Sequence, residues 1–474
     1  MFFLYFCAME HFDNTICAPA TAPGGAIAVI RVSGLHAIRC ADRIFKGRTP
    51  LASARGYSMH FGSILESDGT LLDEVLVSVF RAPCSYTGEN SVEIACHGSE
   101  YIVSRILALL LQNGAKMAAP GEFTQRAFLH GKMDLSQAEA VADLVTARTR
   151  AAHQIALKQL KGGFSDELSK MREELLHIAA LMELELDFSE EDVQFADRTQ
   201  LRELVQKVLS HIEKLIESFN LGNAIKNGVP VAIVGNTNVG KSTLLNALLG
   251  ENRAIVSDIA GTTRDTIEEC CNLDGVLFRF IDTAGLREST DTIERIGIER
   301  AYDKLSAAQL VLALLDLTAP PAEMIASAED IAAHVSAGQR LIFLLNKADA
   351  VPVETTSSAR RTLAPLLSSS NRQCFILSAR EKVGLEELRQ ALVATYGTLG
   401  SGSETTLVAN IRHVEALQNA ATSLTRVQQG LTTLPTDLLA QDLRESLHHL
   451  GTITGEITTD QILGEIFGRF CIGK

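Results

Sequence analysis

Long apolar runs are missing from this 474-residue chain. The apolar opening Met1–Met9 and, after it, the longest runs Ile106–Leu111 and Leu310–Leu315 all fall far short of the roughly 20 residues that span a bilayer. A membrane-spanning helix is excluded, and a soluble, cytoplasmic protein is expected. Positive charge is also in short supply, with 43 Lys and Arg against 57 Asp and Glu and a net charge of −14. Any nucleic-acid contact must therefore come from a local basic patch rather than from the whole surface. The nine cysteines are an odd number with no C-x-x-C pair and no Cys/His cluster at zinc spacing, which excludes a disulfide framework and a structural zinc and points to reduced thiols. Met1–Cys7 is apolar but lacks a basic n-region, and Met9 follows closely; residues 1–9 read as an extension rather than a targeting segment. No repeat of about 20–50 residues is present, so a solenoid is excluded. With 46% apolar and 21% charged residues the chain is not disordered, and its length suits about three domains.

What is present changes texture along the chain. Residues 14–120 mix β-rich runs with turns: Ala26–Val32 ends in Ser33-Gly34, Val75–Phe80 precedes Arg81-Ala82-Pro83, and Ser91–Cys96 ends at His97-Gly98. One helical stretch, Tyr101–Gln112, interrupts them. From Leu135 to about Phe219 the apolar positions recur with helical period, as in Leu135, Ala138, Ala142 and Val145, or Met171, Leu175, Ile178 and Met182. After Gly228-Val229-Pro230, short apolar strands alternate with helices up to about Tyr396, as in a parallel doubly wound sheet. A Gly/Ser/Thr-rich stretch, Gly397–Thr406, leads back to helix, with Leu439, Leu443, Leu447 and Leu450 on one face. The expected fold is multidomain: an α+β domain, an all-α domain, and an α/β domain inserted into the all-α one.

The inserted segment carries the sharpest chemistry. The strand Val231–Val234 runs into Gly235-Asn236-Thr237-Asn238-Val239-Gly240-Lys241-Ser242, and Thr243–Leu249 continues as a helix stopped by Gly250. This is a P-loop in its required context. Its glycines let backbone N–H groups close around phosphate, Lys241 reaches the β/γ-phosphates, and the Ser242 hydroxyl can ligate Mg²⁺. The strand Leu277–Ile281 then delivers Asp282-Thr283-Ala284-Gly285, where Asp282 can hold Mg²⁺ through water and the Gly285 N–H can sense the γ-phosphate. Leu341–Leu345 ends in Asn346-Lys347-Ala348-Asp349. A carboxylate at 349 accepts from both N1–H and the exocyclic amine of guanine, whereas adenine would leave it unpaired, so GTP is the expected nucleotide. Cys374–Leu377 ends in Ser378-Ala379-Arg380, whose backbone N–H groups would face guanine O6.

Between these motifs lies Gly261-Thr262-Thr263-Arg264-Asp265, a candidate switch in which Thr263 completes Mg²⁺ coordination when the γ-phosphate is present. One expected residue is missing. Ras-like GTPases place a glutamine just after Asp-x-x-Gly to orient water, and here that position is Leu286, so hydrolysis needs another device.

With these motifs, together with Asp282–Leu286-Arg287-Glu288, Glu294-Arg295-Ile296-Gly297-Ile298-Glu299-Arg300, Pro120–Leu129, Leu135–Ala140 and the ending Phe470-Cys471-Ile472-Gly473-Lys474, the chain resembles the MnmE (TrmE) tRNA modification GTPase family over essentially its whole length. The resemblance implies an N-terminal tetrahydrofolate-binding-like domain over residues 1–128, a helical domain over 129–226 and 397–474, and a Ras-like G domain over 227–396. It implies a homodimer that joins a FAD-dependent partner (MnmG, GidA) in a heterotetramer-like complex. With that partner, C5 of the wobble uridine of certain tRNAs receives a carboxymethylaminomethyl or aminomethyl group, using 5-formyl- or methylene-tetrahydrofolate.

The same resemblance supplies what Leu286 withholds: G domains that pair in a K⁺-dependent way, K⁺ standing near the place of an arginine finger. The K⁺ ligands would be Asn238 with oxygens of Ser257, Ile259 and Thr262, in a loop that also includes Asp258 and Ala260. Glu294 would orient the water, although taken alone it reads as a solvated charge at a helix start. Folate contacts carry over to Arg31, Glu93, Lys132 and Lys474, and Cys471 falls near the one-carbon site as nucleophile, acid–base group or positioning group. Spacing alone reads each folate residue as an ordinary strand-edge or surface charge. The competing reading is a regulatory or assembly GTPase that binds RNA or ribosomal particles without modifying them; folate contacts and a terminal cysteine are what such a switch does not need.

Overall fold

The computed structural model describes residues 14–22, 24–187, 198–250, 269–281, 308–336, 338–397, 406–468, 470 and 473. They form two compact units, one built from residues 1–142, 159–201 and 429–474, the other from 143–158 and 202–428. Among the described residues no helix is long and apolar enough to cross a membrane.

The first unit contains a seven-stranded sheet of β1 (Ile16–Pro19), β2 (Ile27–Ser33), β3 (Phe45–Gly47), β4 (Ser58–Leu65), β5 (Leu71–Phe80), β6 (Ser91–His97) and β7 (Lys116–Met117). Its spatial order is β3-β4-β5-β6-β2-β1-β7. Alternation sorts the side chains: Ile30 and Val32 of β2, Val75, Val77 and Val79 of β5, and Val92 and Ile94 of β6 are buried on one face. That face packs on helices Ala37–Ile44 and Glu100–Gln112 through Ile38, Ile44, Ile106 and Leu110. Each such side chain contributes about 1.5–3 kcal/mol on full burial. The residues between them, including Arg31, Leu76 and Glu93, point to the opposite face, where Arg31 stands directly across from Glu93 in the β2–β6 register.

Two helices of this domain, Ala37–Ile44 and Glu122–Leu129, escape the sequence pattern, which gives only Tyr101–Gln112. Each is eight residues long, so barely two turns of period are available to detect. Helix Gly163–Asp187 packs on Thr436–Thr454, and Met171, Leu175, Ile178, Met182, Leu439, Leu443, Leu447 and Leu450 are all buried. Val145 departs from its expected face: at the end of helix Leu135–Thr146 it is 50% exposed. The last helix, Asp460–Phe467, is capped by the Thr459 hydroxyl, which accepts from the Ile462 N–H. It brings Phe467 and Phe470 against Leu135 and Ala138.

The second unit is built on a six-stranded sheet of β8 (Val229–Val234), β9 (Glu269–Leu273), β10 (Val276–Phe280), β11 (Leu310–Asp316), β12 (Arg340–Asn346) and β13 (Arg372–Ile376), in the order β13-β12-β11-β8-β10-β9. All pairs are parallel except β9–β10. Apolar clusters lie on both faces, one with Leu244, Leu248, Leu388 and Leu392, the other with Met324, Ile331, Ala359 and Leu363. Double burial is why β11 and β12 read as unbroken apolar runs. The chain enters and leaves this sheet at neighbouring points: Ser218 Oγ accepts from the Val408 N–H at 3.0 Å, and Gly222 lies so close that a Cβ there would meet the Val408 carbonyl oxygen at 2.2 Å.

Candidate functional site

β8 is flanked by β10 on one side and β11 on the other, so its C-terminal end is the switch point of the sheet, where ligands of open α/β folds bind. The loop after it needs glycine twice. At Gly235, with φ of +147°, a Cβ would meet the Leu314 carbonyl oxygen at 2.4 Å, and at Gly240, with φ of +104°, it would meet Asn346 Nδ2 at 2.4 Å. Asn238 also adopts positive φ, +59°, which asparagine tolerates better than most residues. Val239 is buried, while Ser242 and Thr243 lie in the first turn of helix Lys241–Leu249, whose N-terminus faces the loop. Lys241 donates from Nζ to the carbonyls of Gly235 and Asn236, each at 2.8 Å. Burial holds its ammonium below the usual lysine range.

Asn346 connects the motifs. Buried at the end of β12, it donates through Nδ2 to the Val239 carbonyl at 2.8 Å and accepts through Oδ1 from the Ala379 N–H at 3.0 Å. One side chain thus ties the P-loop to the Ser378-Ala379-Arg380 loop. Lys347 takes φ of +66° and donates to Asp316 Oδ2 at 2.6 Å. Asp316 has its other oxygen engaged by Thr318, N–H at 2.8 Å and hydroxyl at 2.6 Å. Sequence reasoning missed Asp316; its signal is the Asp-x-Thr ending of an apolar strand. Asp349 is exposed beside these groups, and its carboxyl is held below the usual range chiefly by a hydrogen bond from the Ser378 side chain, with Arg380 and Lys347 acting in the same direction. The Arg380 side chain is 85% exposed, turned toward Glu381 at 3.7 Å.

In the other unit, Arg31 Nε and Nη2 both lie 2.9 Å from Glu93 Oε1. The guanidinium sits 5.2 Å from the ring centroid of Tyr86 and 5.6 Å from that of Phe123, within cation–π range. Its Nη1 lies 3.5 Å from the carbonyl oxygen of Gly473, which thus sits against β2. Lys132 donates to the Pro83 carbonyl at 3.1 Å, at the loop that also carries Tyr86. Beneath them, buried Arg126 bonds Glu89 at 3.0 Å, Glu122 at 2.8 Å and the Asn14 carbonyl at 2.9 Å. Ser33 donates to Glu89 at 2.8 Å. A fully buried arginine is expensive unless paired; here it fixes the loop bearing Tyr86. Nothing in the sequence pattern singled it out.

Several expected site residues lie outside the described residues: Ser257, Asp258, Ile259, Ala260, Gly261, Thr262 and Thr263, the Asp282, Thr283, Ala284 and Gly285 motif, Glu294, and, at the C-terminus, Cys471 and Lys474.

Two family models match nearly the whole chain, "GTP-binding protein TrmE N-terminus" over residues 15–132 and "MnmE helical domain" over residues 135–471. The chain belongs to the MnmE (TrmE) family of tRNA modification GTPases. A MnmE relative from Parabacteroides distasonis, named "tRNA modification GTPase MnmE", is 50% identical over 467 residues, covering 97% of this chain and 100% of its own. The MnmE of Flavobacterium johnsoniae is 49% identical over 469 residues, covering 98% and 99%. Among solved structures, the G domain of the T. maritima FeoB iron transporter covers 36% of this MnmE-family chain and 98% of its own, at 25% identity and a TM-score of 0.26.

Proposed function

We propose that the chain is a K⁺-activated GTPase that works with a FAD-dependent partner of the MnmG (GidA) type. Together they modify C5 of the wobble uridine of certain tRNAs to a carboxymethylaminomethyl or aminomethyl derivative, with one carbon drawn from 5-formyl- or methylene-tetrahydrofolate. The acting form is a homodimer joined to the partner. The observation that carries this reading over a purely regulatory GTPase is the return of Gly473 to the Arg31–Glu93 pair, which gathers a carboxylate, a guanidinium and two aromatic rings where nucleotide chemistry needs none.

At the nucleotide site, Lys241 exchanges its two loop carbonyls for phosphate oxygens, and the N–H groups at the start of helix Lys241–Leu249 face the same charge. Asn346 keeps the phosphate and base loops in register, and Asp349 reads the two guanine donors. The loop offers oxygen donors suited to hard cations: Mg²⁺ at Ser242 and Thr263, and K⁺ at Asn238 with Ser257, Ile259 and Thr262, would offset charge on the transferring phosphoryl group. Glu294 orients the attacking water. At the second site, Glu93 pairs with the donor edge of a pterin, while Arg31, Lys132 and Lys474 meet acceptor and carboxylate groups. A reduced folate supplies the one-carbon unit when bound.

The test is mass spectrometry of wobble uridines from cells lacking the gene, with and without complementation. Loss of the C5 modification and its return on complementation are expected. Unchanged uridines would overturn the reading in favour of a regulatory or assembly GTPase.

A further inference from the structure

The cations of the first unit are unevenly matched. Most of its described arginines have a partner: Arg31 with Glu93, Arg105 with Glu66, Arg126 with Glu89 and Glu122, Arg172 with Glu456, Arg444 with Glu183, and Arg81 with the carbonyls of Ala52 and Ala54. Arg39, Arg43, Arg48 and Arg55 are the exception. All four are exposed, lie within one short segment, and make no ion pair or side-chain hydrogen bond among the described residues. Lys46, in the same segment, is also exposed. The nearest carboxylate in sequence, Asp42, is occupied by the Leu51 N–H at 2.6 Å.

The fold brings the segments that carry the four arginines next to one another. Helix Ala37–Ile44 buries Ala37, Ile38, Cys40, Ala41 and Ile44, which turns Arg39 and Arg43, one helical turn apart, to solvent. The helix runs straight into β3, the edge strand of the sheet, and Arg48 follows; Phe45 is buried across from Ile64, so Lys46, across from Ser63, projects to the other face of the sheet. It also packs on the turn Leu51–Ser53, and Arg55 follows that turn. Lysine on an edge strand commonly guards against mispairing, but that accounts for Lys46 and not for four such arginines on a chain of net charge −14.

We propose that this flank, with Arg39, Arg43, Arg48 and Arg55, is a docking surface for the phosphate backbone of tRNA. The proposal rests on the tRNA reading above and names the surface it leaves open. Arginine is the residue suited to bidentate phosphate contact. An anionic membrane fits less well: the apolar face of the helix is buried in the core, so nothing apolar remains on it to insert.

The experiment uses the full chain and an unmodified tRNA transcript with uridine at the wobble position, titrated from 50 to 300 mM KCl. In the triple variant Arg39→Gln, Arg43→Gln, Arg48→Gln, tRNA affinity should fall by about tenfold or more. The slope of log K against log salt should drop by about 2–3, near one for each phosphate that no longer meets a cation. GTP turnover and melting temperature should stay unchanged, and the matching Arg→Lys triple should recover most of the binding. A control removing equal charge elsewhere, Lys116→Gln, Lys161→Gln, Lys170→Gln, should bind tRNA as the parent does. An equal loss in that control, or full affinity and slope in the arginine triple, would overturn the proposal while leaving the tRNA reading standing. So would loss of binding to phosphatidylserine vesicles in place of tRNA. Failure of the parent chain to bind any tRNA would instead remove the tRNA reading, and this surface with it.

Discussion

Asn346 and Val239, 107 positions apart in sequence, are joined by a 2.8 Å hydrogen bond from the Asn346 amide to the Val239 carbonyl. Gly240 makes it possible by leaving no Cβ in the way. Asn346→Asp keeps an acceptor for the Ala379 N–H but cannot donate to Val239. Guanine nucleotide affinity is expected to fall at least about tenfold, with stability reduced by about 1–3 kcal/mol as a buried carbonyl loses its donor. Fluorescent GDP titration and thermal melts of the same preparation check both halves; unchanged affinity would separate the clamp from nucleotide binding.

Asp349 should set base identity. Asp349→Asn is expected to weaken GTP binding and favour xanthosine triphosphate, which presents an acceptor where guanine has its amine. The Ser378 bond holds the Asp349 carboxyl below its usual range, so the ionised form that reads guanine persists above that lowered pKa and is lost only as pH falls through it. Ser378→Ala raises the pKa toward the ordinary carboxylate value, and the acid-side loss of GDP binding should move to higher pH. Superimposable pH curves for parent and variant would detach Ser378 from the base loop.

Turnover of GTP should be faster in K⁺ than in Na⁺ at matched ionic strength. Glu294→Ala should bind nucleotide normally and hydrolyse it at least about a hundredfold more slowly, because a water-orienting group acts mainly in the transition state. Equal rates in the two salts, or turnover surviving in the variant, would mean another device replaces the missing glutamine.

The tail offers a separate handle. Gly473 has φ of +98°, and a Cβ there would meet the Pro19 carbonyl oxygen at 1.9 Å. Gly473→Ala should therefore lift the tail from Arg31, weakening reduced-folate binding and abolishing wobble modification while GTP turnover and melting temperature hold. Cys471→Ser should leave folding and GTP turnover intact and lose modification. Modification at parental levels in both variants would relieve the tail of any chemical role.

The P-loop and the loops Asn346–Asp349 and Ser378–Arg380 were legible because each follows a strand and carries residues that few other sites require together. Strands β2, β5 and β6 were legible from turn residues at their ends. What stayed hidden depends on pairings distant in sequence. Asp316 acquires meaning only once β11 lies beside β12 and Lys347 reaches across, and Arg126 looks like a surface helix charge until Glu89 and the Asn14 carbonyl close around it. β10 was read as Leu277–Ile281, but its partner β9 escaped because Glu269–Leu273 is short and almost wholly buried, so no alternation marks it. Arg31 and Glu93 were found through family resemblance alone, since one charge on each of two strands carries no local signal.

The clasp at Ser218, Gly222 and Val408 has a mechanical consequence. Both covalent passages between the nucleotide-binding sheet and its flanking helices run through one spot, so the sheet is hung on a single pivot of two adjacent chain segments. With the Val408 carbonyl oxygen only 2.2 Å from where a Cβ of residue 222 would stand, any side chain there would force the two segments apart.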